Sequence, residues 1–171
     1  MAGEDSSGLD VRTGFDTLMG QLDHPMYVVT VQGPDGPAGC LVGFASQVSI
    51  EPPRFMVGLS GENHTWRVSQ QARHLAVHVI PTAHRELVNV FGELSGDRAD
   101  KFALCSWRAG PQGVPILQDS SAWFVGEILR RIELGDHVGH VLAPVAVGVP
   151  RELSEYVRSR DTTGLRPGHD A

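Results

Sequence analysis

The chain has 171 residues, a length typical of a single domain that buries most of its apolar surface in one core. Its 14 lysine and arginine residues stand against 20 aspartate and glutamate residues, which gives a net charge of −6 at pH 7. This acidic balance disfavours nucleic acid as a partner and disfavours electrostatic attachment to a membrane. Because the N-terminus is acidic and polar and no stretch approaches the roughly 18 uninterrupted apolar residues of a membrane span, we expect a cytoplasmic protein.

The spacing of cysteine and histidine residues does not suggest a metal site. The two cysteines, Cys40 and Cys105, lie in apolar, strand-like contexts, which predicts reduced and buried thiols. His74 and His78 are four residues apart on a predicted strand, hence about 13 Å apart at about 3.3 Å per residue, which is too far to share one ion. We therefore expect neither a disulfide nor a bound metal.

The composition divides the chain into three parts. We predict a flexible polar segment over residues 1–12, one domain over residues 13–150 and a C-terminal tail over residues 151–171. The domain begins with a short helix that Thr13 caps together with Asp16 three residues later. The tail is charged and rich in arginine, and we expect a short helix in it, followed by disorder.

The first half of the domain is predicted to alternate strands with turns and one helix. The β-branched run over residues 26–32 and the turn chemistry over residues 33–37 predict a hairpin with a second strand over residues 38–44. The elements that follow are a third strand over residues 54–59, a helix over residues 65–72 and a strand over residues 74–80.

The second half is predicted to contain one helix and one long hairpin. Pro81 opens a helix whose apolar face is formed by Leu87, Val88, Val90 and Phe91. Residues 93–101 are polar and acidic, so we expect a mobile surface turn there. The hairpin comprises residues 122–134, a tight Gly135-Asp136 turn and residues 137–149, with a bulge near Gly139 or Pro144. Many strands with helices confined to the connections favour a closed or partly closed antiparallel β-barrel over a doubly wound sheet.

Two backbone-rich segments are expected to meet at the rim of the sheet. The first, residues 43–49, has small polar side chains after a strand, and the second, residues 60–66, begins a helix. Free N–H groups at a helix N-terminus favour an anion such as a phosphate, which indicates a ligand site built mostly from backbone. A strand end with locally satisfied side chains and a helix cap at Asn63 or Thr65 explain the same residues without a ligand.

The order of these segments resembles the flavin reductase-like, FMN-binding split-barrel family. In that family a Ser/Thr-rich turn runs into a Ser-(Leu/Ile)-(Asp/Glu)-Pro-Pro sequence, a strand, and a helix that starts at Ser/Thr followed by an aromatic residue. The matching positions here are Ser46 to Ser49, Ile50-Glu51-Pro52-Pro53, residues 54–60, Thr65-Trp66, residues 75–80, residues 90–92, residues 97–102, Trp107 and Gly135-Asp136-His137. The resemblance covers residues 15–147 and implies a mainly β protein with few helices, folded as an antiparallel FMN-binding split β-barrel.

The resemblance also implies that both segments hold the flavin. The implied cofactor-binding residues are Gly43, Phe44, Ala45, Ser46, Gln47, Ser49, Gly58, Leu59, Ser60, Asn63, His64, Thr65, Trp66 and Phe91. Backbone groups of the first segment would contact the ring, and Thr65 would contact the phosphate and ribityl chain. Many family members carry Ser-Phe where this chain has Phe44-Ala45, so a hydroxyl contact to the ring is lost or moves to Ser46.

Three side chains allow more than one interpretation. Phe91 ends an amphipathic helix, so a place in the core explains it as well as a place near the flavin. Lys101 is the single lysine, so a phosphate must be neutralised by it, by arginines or by the helix terminus. In related reductases the histidine corresponding to His137 lies on the open face of the flavin, where nicotinamide arrives, which makes His137 the catalytic candidate. A turn residue bonded to Asp136 is the alternative.

The function implied by the resemblance is that of a homodimeric FMN-binding oxidoreductase that uses NADH or NADPH to reduce flavin and can serve a partner monooxygenase. A dimer is also expected because residues 54–59 and the Trp123-Phe124 region would leave an apolar patch on a single barrel. Two alternatives stay open: a flavin- or haem-binding split barrel without pyridine nucleotide activity, and a reductase that uses FAD or the deazaflavin F420. The poor match of residues 152–160 to the family's aromatic-Arg-Gly segment, which touches the nucleotide, favours the first alternative.

Overall fold

The computed structural model of the protein describes residues 10–166 and residue 168. Three α-helices are present in this part of the chain: α1 Val11–Gln21, α2 His64–Ser69 and α3 Glu86–Glu93. The strands of the same part are β1 Tyr27–Gly33, β2 Gly36–Val42, β3 Ala45–Ser49, β4 Arg54–Ser60, β5 His74–Val79, β6 Trp107–Ala109, β7 Pro115–Leu117, β8 Ala122–Glu133 and β9 His137–Gly148. No helix among these residues is long and apolar enough to cross a membrane.

Seven of the described strands form one antiparallel sheet in the order β2-β1-β5-β8-β9-β4-β3, and β6 pairs separately with β7. The two predicted hairpins are present, β1 with β2 and β8 with β9. Helices α2 and α3 lie in connections between strands, and α1 precedes β1. The mainly β, antiparallel fold class is therefore confirmed.

The sheet curls into a barrel around an apolar core. Strands β2 and β4 lie far apart in the sheet order, yet Cys40 of β2 and Leu59 of β4 belong to one buried cluster with Val29 of β1. The outer face of β1 is covered as well, because Val28 packs in a second cluster with Phe91 of α3. Since both faces of β1 are buried, its sequence is a continuous β-branched run rather than an alternating pattern.

The segment predicted as a loop over residues 43–49 is mostly an edge strand. Only Gly43 and Phe44 connect β2 to β3, and β3 pairs with β4 with a bulge between Gln47 and Ser49. The Ser46 hydroxyl donates to Gln47 O at 3.1 Å, and Gln47 Nε2 donates to Ser49 O at 3.1 Å. The loop prediction is wrong because pairing with β4, which lies beyond the Pro-Pro turn, outweighs the weak strand preference of this short polar segment.

All three helices differ in their bounds from the prediction. The helix predicted to open at Pro81 is a 3-10 helix, Thr82–His84, followed by α3. Helix α1 begins at Val11 because Asp10 caps it, accepting a hydrogen bond from Thr13 N at 3.2 Å, so Thr13 is not the cap. Asn63 caps α2, which ends at Ser69 and is shorter than predicted. The apolar face of α1 is exposed, at Phe15, Leu18, Met19 and Leu22.

The long hairpin carries two irregularities. Val125 pairs with Ala146 and Gly126 pairs with Pro144, so Val145 of β9 is an extra residue without a partner on β8. This confirms the bulge predicted near Pro144. Leu129 of β8 is the extra residue of the second. No bulge lies at Gly139. The lack of a side chain there leaves space for Leu134 and Met56, since a Cβ would stand 2.9 Å from Leu134 Cδ1 and 3.1 Å from Met56 Sδ.

The C-terminal segment after Pro150 packs on the barrel over residues 156–165. Val157 is buried, its N–H donates to Ile80 O at 2.9 Å, and its carbonyl accepts from Met26 N at 3.1 Å. A short 3-10 helix, Ser159–Thr162, follows as predicted, and Leu165 after it packs against the barrel, where disorder was predicted. The division at residues 12 and 150 stays a prediction, and residues 1–9, 167 and 169–171 lie outside the described residues.

Candidate functional site

A cleft of about 550 Å³ opens where β2 ends and the chain crosses to β3. This volume lies in the range of small-molecule sites, about 300–1,000 Å³. Six parts of the chain form its walls: the residues before β1, the end of β2 with the crossing to β3, the end of β4 with the turn before α2, helix α3, the start of β9 with the turn before it, and the C-terminal segment. The lining residues are His24, Met26, Cys40, Leu41, Val42, Gly43, Phe44, Gly58, Leu59, Ser60, Asn63, Gly92, Asp136, His137, Ser159, Thr162 and Leu165.

The predicted site residues divide into three groups. Those that line the cleft are Gly43, Phe44, Gly58, Leu59, Ser60, Asn63 and His137. His64 and Phe91 instead line a small pocket that shares residues with the cleft. Those that line neither are Ala45, Ser46, Gln47, Ser49, Thr65 and Trp66. The structure therefore brings the strand ends and the hairpin start together and leaves the polar side chains of β3 outside.

Two glycines allow the walls to approach each other. Gly58 N donates to Phe44 O at 2.7 Å, and a Cβ on Gly58 would stand 3.2 Å from Phe44 Cβ. A Cβ on Gly43 would stand 3.0 Å from Met26 Sδ and 3.4 Å from His24 Nε2. Glycine at both positions thus keeps the Gly43-Phe44 crossing close to β4 and leaves backbone at the cleft surface, as a flat ligand requires.

His137 is an oriented imidazole at the start of β9. Its Nδ1 lies 2.8 Å from Asp136 Oδ1, and its ring meets the Phe44 ring edge-on with centroids 4.9 Å apart. The hydrogen bond from His137 lowers the pKa of Asp136. Since a carboxylate accepts the Nδ1 proton, Nε2 is left for a ligand. His137 is bonded to Asp136, as the turn interpretation predicts, and it also lines the cleft.

The start of α2 is already capped by its own side chain. Asn63 Oδ1 accepts from Thr65 N at 2.8 Å. Thr65 is 1% exposed, and its side chain and that of Asn63 reach the Cys40 thiol. Burial raises the pKa of Cys40 despite these two hydrogen bonds, so the thiol in the cleft wall is neutral. The capping interpretation is thus observed, and a contact of Thr65 with a phosphate stays a prediction.

A small pocket of about 30 Å³ shares Asn63 and Gly92 with the cleft and is also lined by Lys101. Lys101 is 6% exposed, and its Nζ donates to Gly39 O at 2.9 Å and to Phe91 O at 3.3 Å. Burial lowers the pKa of Lys101. Across the described residues no Asp or Glu oxygen lies within 4.0 Å of this cation. The only lysine of the chain is thus a buried charge without a carboxylate partner.

The turn before Lys101 contacts α2, and its predicted mobility stays a prediction. Asp97 accepts hydrogen bonds from Arg67 and from His64 Nδ1, the latter at 2.9 Å, and both lower the pKa of Asp97. Gly96 fits only without a side chain, since a Cβ would stand 2.6 Å from His64 Cδ2. His64 therefore holds the turn against α2.

Phe91 belongs to the core. It is buried in the same cluster as Phe102, edge-on to it with centroids 5.6 Å apart. Of the two interpretations open from the sequence, the structure favours the core residue, although one edge of Phe91 reaches the small pocket.

Several lining residues are not accessible to sequence reasoning. His24 and Met26 precede β1, and Ser159, Thr162 and Leu165 come from the segment predicted as a tail. Their only local signal is the short run His24-Pro25-Met26 before the first strand, because their place in the site depends on packing of the chain ends. Among the described residues no group of three or more His, Cys, Asp or Glu side chains could hold a metal ion.

Comparison with known proteins agrees with this architecture. Residues 19–164 match the family model described as "Flavin reductase like domain". The FMN reductase (NADH) RutF of Enterobacter sp. (strain 638) is 31% identical over 131 residues, 77% of this chain and 79% of that protein. The stachydrine N-demethylase reductase subunit Stc3 of Rhizobium meliloti (strain 1021) is 32% identical over 114 residues, 64% of this chain and 48% of that protein, so the chain spans about half its length.

A solved structure extends the likeness to three dimensions. The FMN-binding protein from Thermus thermophilus, with bound 1-cyclohex-2-enone, superposes with a TM-score of 0.71 at 29% identity, covering 75% of this chain and 72% of that chain. The family match runs through the C-terminal segment that closes the cleft. The chain therefore belongs to the flavin reductase-like domain family.

Proposed function

We propose that the protein binds FMN in the cleft and uses NADH to reduce it. The family match to residues 19–164, which include every cleft residue except Leu165, carries this proposal. The relatives named FMN reductase (NADH) and FMN-binding protein support the choice of cofactor and donor. NADPH, FAD and deazaflavin remain alternatives that the same experiments compare.

The residues of the cleft suit a flavin. An apolar wall that includes Met26, Leu41 and Val42 offers a dry surface to a ring, and the backbone at Gly43 and Gly58 is open to it. The small pocket is lined by a buried cation, Lys101, whose lack of a carboxylate partner suits an anionic group such as the FMN phosphate. We place the phosphate end there.

Bound FMN supplies the redox chemistry, accepting a hydride from NADH and passing the electrons on. The chain's part is to bind, align and exclude water. His137, fixed by Asp136 and Phe44, is proposed to orient the nicotinamide beside the flavin. Because the Cys40 thiol is neutral and lies in the wall, we assign it no acid-base role.

Anaerobic mixing of the FMN-loaded protein with NADH tests the proposal directly. We expect FMN fluorescence to be quenched on binding, and the flavin absorbance to bleach on addition of NADH. Quenching without bleaching by NADH or NADPH, when dithionite does reduce the bound flavin, would support the alternative of a flavin holder. Absence of quenching up to high micromolar FMN would contradict the proposal, and parallel titrations with FAD, deazaflavin and haem would identify another cofactor.

We also propose a cytoplasmic homodimer. The apolar surface expected at residues 54–59 is not there, because β4 lies between β3 and β9 and its second half is buried. Exposed apolar residues occur instead at Phe44, which lines the cleft and is 65% exposed, and at Ile50 in the turn after β3, which is 83% exposed, and these would suit a second copy. Sedimentation as an 18.5 kDa monomer with flavin present would contradict the dimer. The relative named as the reductase subunit of a demethylase supports a partner enzyme, such as a monooxygenase, as the proposed recipient of the electrons.

A further inference from the structure

His24 is a second histidine of the cleft, next to Gly43, whereas His137 lies next to Phe44 and Gly58. Its backbone is fixed by the C-terminal segment. His24 N donates to Ser159 Oγ at 3.2 Å, and Ser159 N donates to His24 O at 2.9 Å. The position of the His24 ring is therefore set by packing and not by any bond of the ring itself.

The ring of His24 has no hydrogen bond to the residues that the structure describes. Its Nδ1 is buried and has no hydrogen-bond partner among residues 10–166 and 168. Every other buried side-chain nitrogen or oxygen in this part of the chain has a partner. Its Nε2 faces Gly43, 3.4 Å from where a Cβ would stand. A buried polar atom without a partner is unfavourable in a folded protein, so the state of Nδ1 decides which ring nitrogen carries the proton.

The chemistry of imidazole indicates which ligand group His24 can meet. A buried N–H without an acceptor is less well tolerated than a buried acceptor without a donor, so the favoured tautomer leaves Nδ1 bare and places the proton on Nε2. His24 then presents an N–H donor beside Gly43 and the Met26 thioether, in the apolar part of the cleft. Such a donor matches a carbonyl oxygen on the rim of a flat, otherwise apolar ring.

We infer that His24 is a binding residue of the cleft, whose Nε2–H donates to a carbonyl oxygen of the flavin ring. This inference rests on the proposed function. The ring, not the phosphate, is the partner, because the buried cation that suits a phosphate, Lys101, lies in the small pocket, which His24 does not line.

The test measures binding of FMN and of lumiflavin, the ring without ribityl phosphate, by fluorescence quenching. For His24→Leu we expect both dissociation constants to rise about three- to tenfold, the range of one neutral hydrogen bond. His24→Gln, which keeps an N–H donor, should retain most of the affinity. His84→Leu is the matched control, since His84 is bonded to Glu86 away from the cleft.

Stability of the flavin-free protein gives a second, independent result. Because His24→Leu removes an unpartnered buried nitrogen, its urea midpoint should equal or exceed that of the wild type. A clear loss of stability would overturn the inference by showing that the ring supports the fold. Unchanged binding of FMN and lumiflavin by His24→Leu would overturn the inference too. A loss of FMN binding with unchanged lumiflavin binding would also overturn it, because it would indicate a contact with the phosphate. If the wild type itself binds neither flavin, the proposed function fails and the inference fails with it.

Discussion

At the scale of single residues, the ring of His137 is held before any ligand arrives. Asp136 and Phe44 fix the ring, so little conformational freedom is lost when a substrate meets it. We expect His137→Ala to slow flavin reduction by NADH roughly tenfold, the effect of losing one ~1.4 kcal/mol contact in the transition state. FMN affinity should stay nearly unchanged. Anaerobic stopped-flow bleaching of the flavin absorbance measures the rate. An unchanged rate would show that His137 is only a turn residue bonded to Asp136.

Lys101 gives a second prediction at this scale. Lys101→Met should weaken FMN binding about tenfold or more, because a hydrogen bond to a charged phosphate contributes about 1.5–3 kcal/mol. Riboflavin lacks the phosphate, so its binding should change little. Arg98→Met, an exposed residue of the same turn, is the control. Equal losses for FMN and riboflavin would show that Lys101 only supports the fold through its carbonyl contacts.

The site could be predicted from the sequence only where its residues lie within one local motif. Gly43, Gly58 and His137 stand at strand ends that the family pattern marks, and all three line the cleft. Ser46 shares that pattern but lies on the exposed edge strand β3, since the side-chain direction in a strand depends on its pairing. The family pattern also marks the segment that contains Lys101, but the burial of this lysine depends on how a polar turn packs, which the local sequence does not indicate.

At the scale of elements, the C-terminal segment closes the cleft, and Val157 is its buried apolar side chain. Val157 is buried among Val28, Ile80 and Leu117, so Val157→Ala should lower the free energy of unfolding by about 1 to 3 kcal/mol. FMN affinity should fall as well, because Ser159 and Leu165 line the cleft. Urea unfolding and FMN titration measure the two effects.

The matched control for this segment is Val149→Ala, whose side chain is exposed and lies outside the cleft. A variant Val157→Ala that loses stability and retains full FMN affinity would contradict the assigned role of the segment. The sequence does not reveal this element, because a single buried valine among charged residues has no periodicity. The hairpins β1-β2 and β8-β9 are predictable, since their turns and apolar runs are adjacent in the chain.

At the scale of the whole molecule, the barrel encloses two buried histidines between its elements. His78 Nδ1 lies 3.0 Å from Val28 O, and its Nε2 accepts from Leu117 N at 3.1 Å. His140 Nε2 lies 3.0 Å from Ser69 Oγ. Burial lowers the pKa of each histidine to about 4. Arg131 also lowers the pKa of His140, whereas backbone carbonyls oppose the shift at both sites.

These two pKa values predict a stability that depends on pH. An unfolded histidine titrates near 6.5, so between about pH 6.5 and pH 4 the unfolded chain binds more protons than the folded one. Stability should therefore be fully present above pH 6.5 and fall as the pH drops towards 4, by on the order of 3 kcal/mol for each histidine. Urea midpoints at pH 7, 6, 5 and 4.5 measure this, and His78→Gln should reduce the slope by about half, since one of the two groups is gone. A wild-type midpoint that stays constant from pH 7 to pH 4.5 would show that both imidazoles can take up a proton inside the fold, contrary to the closed contacts at Val28 and Ser69.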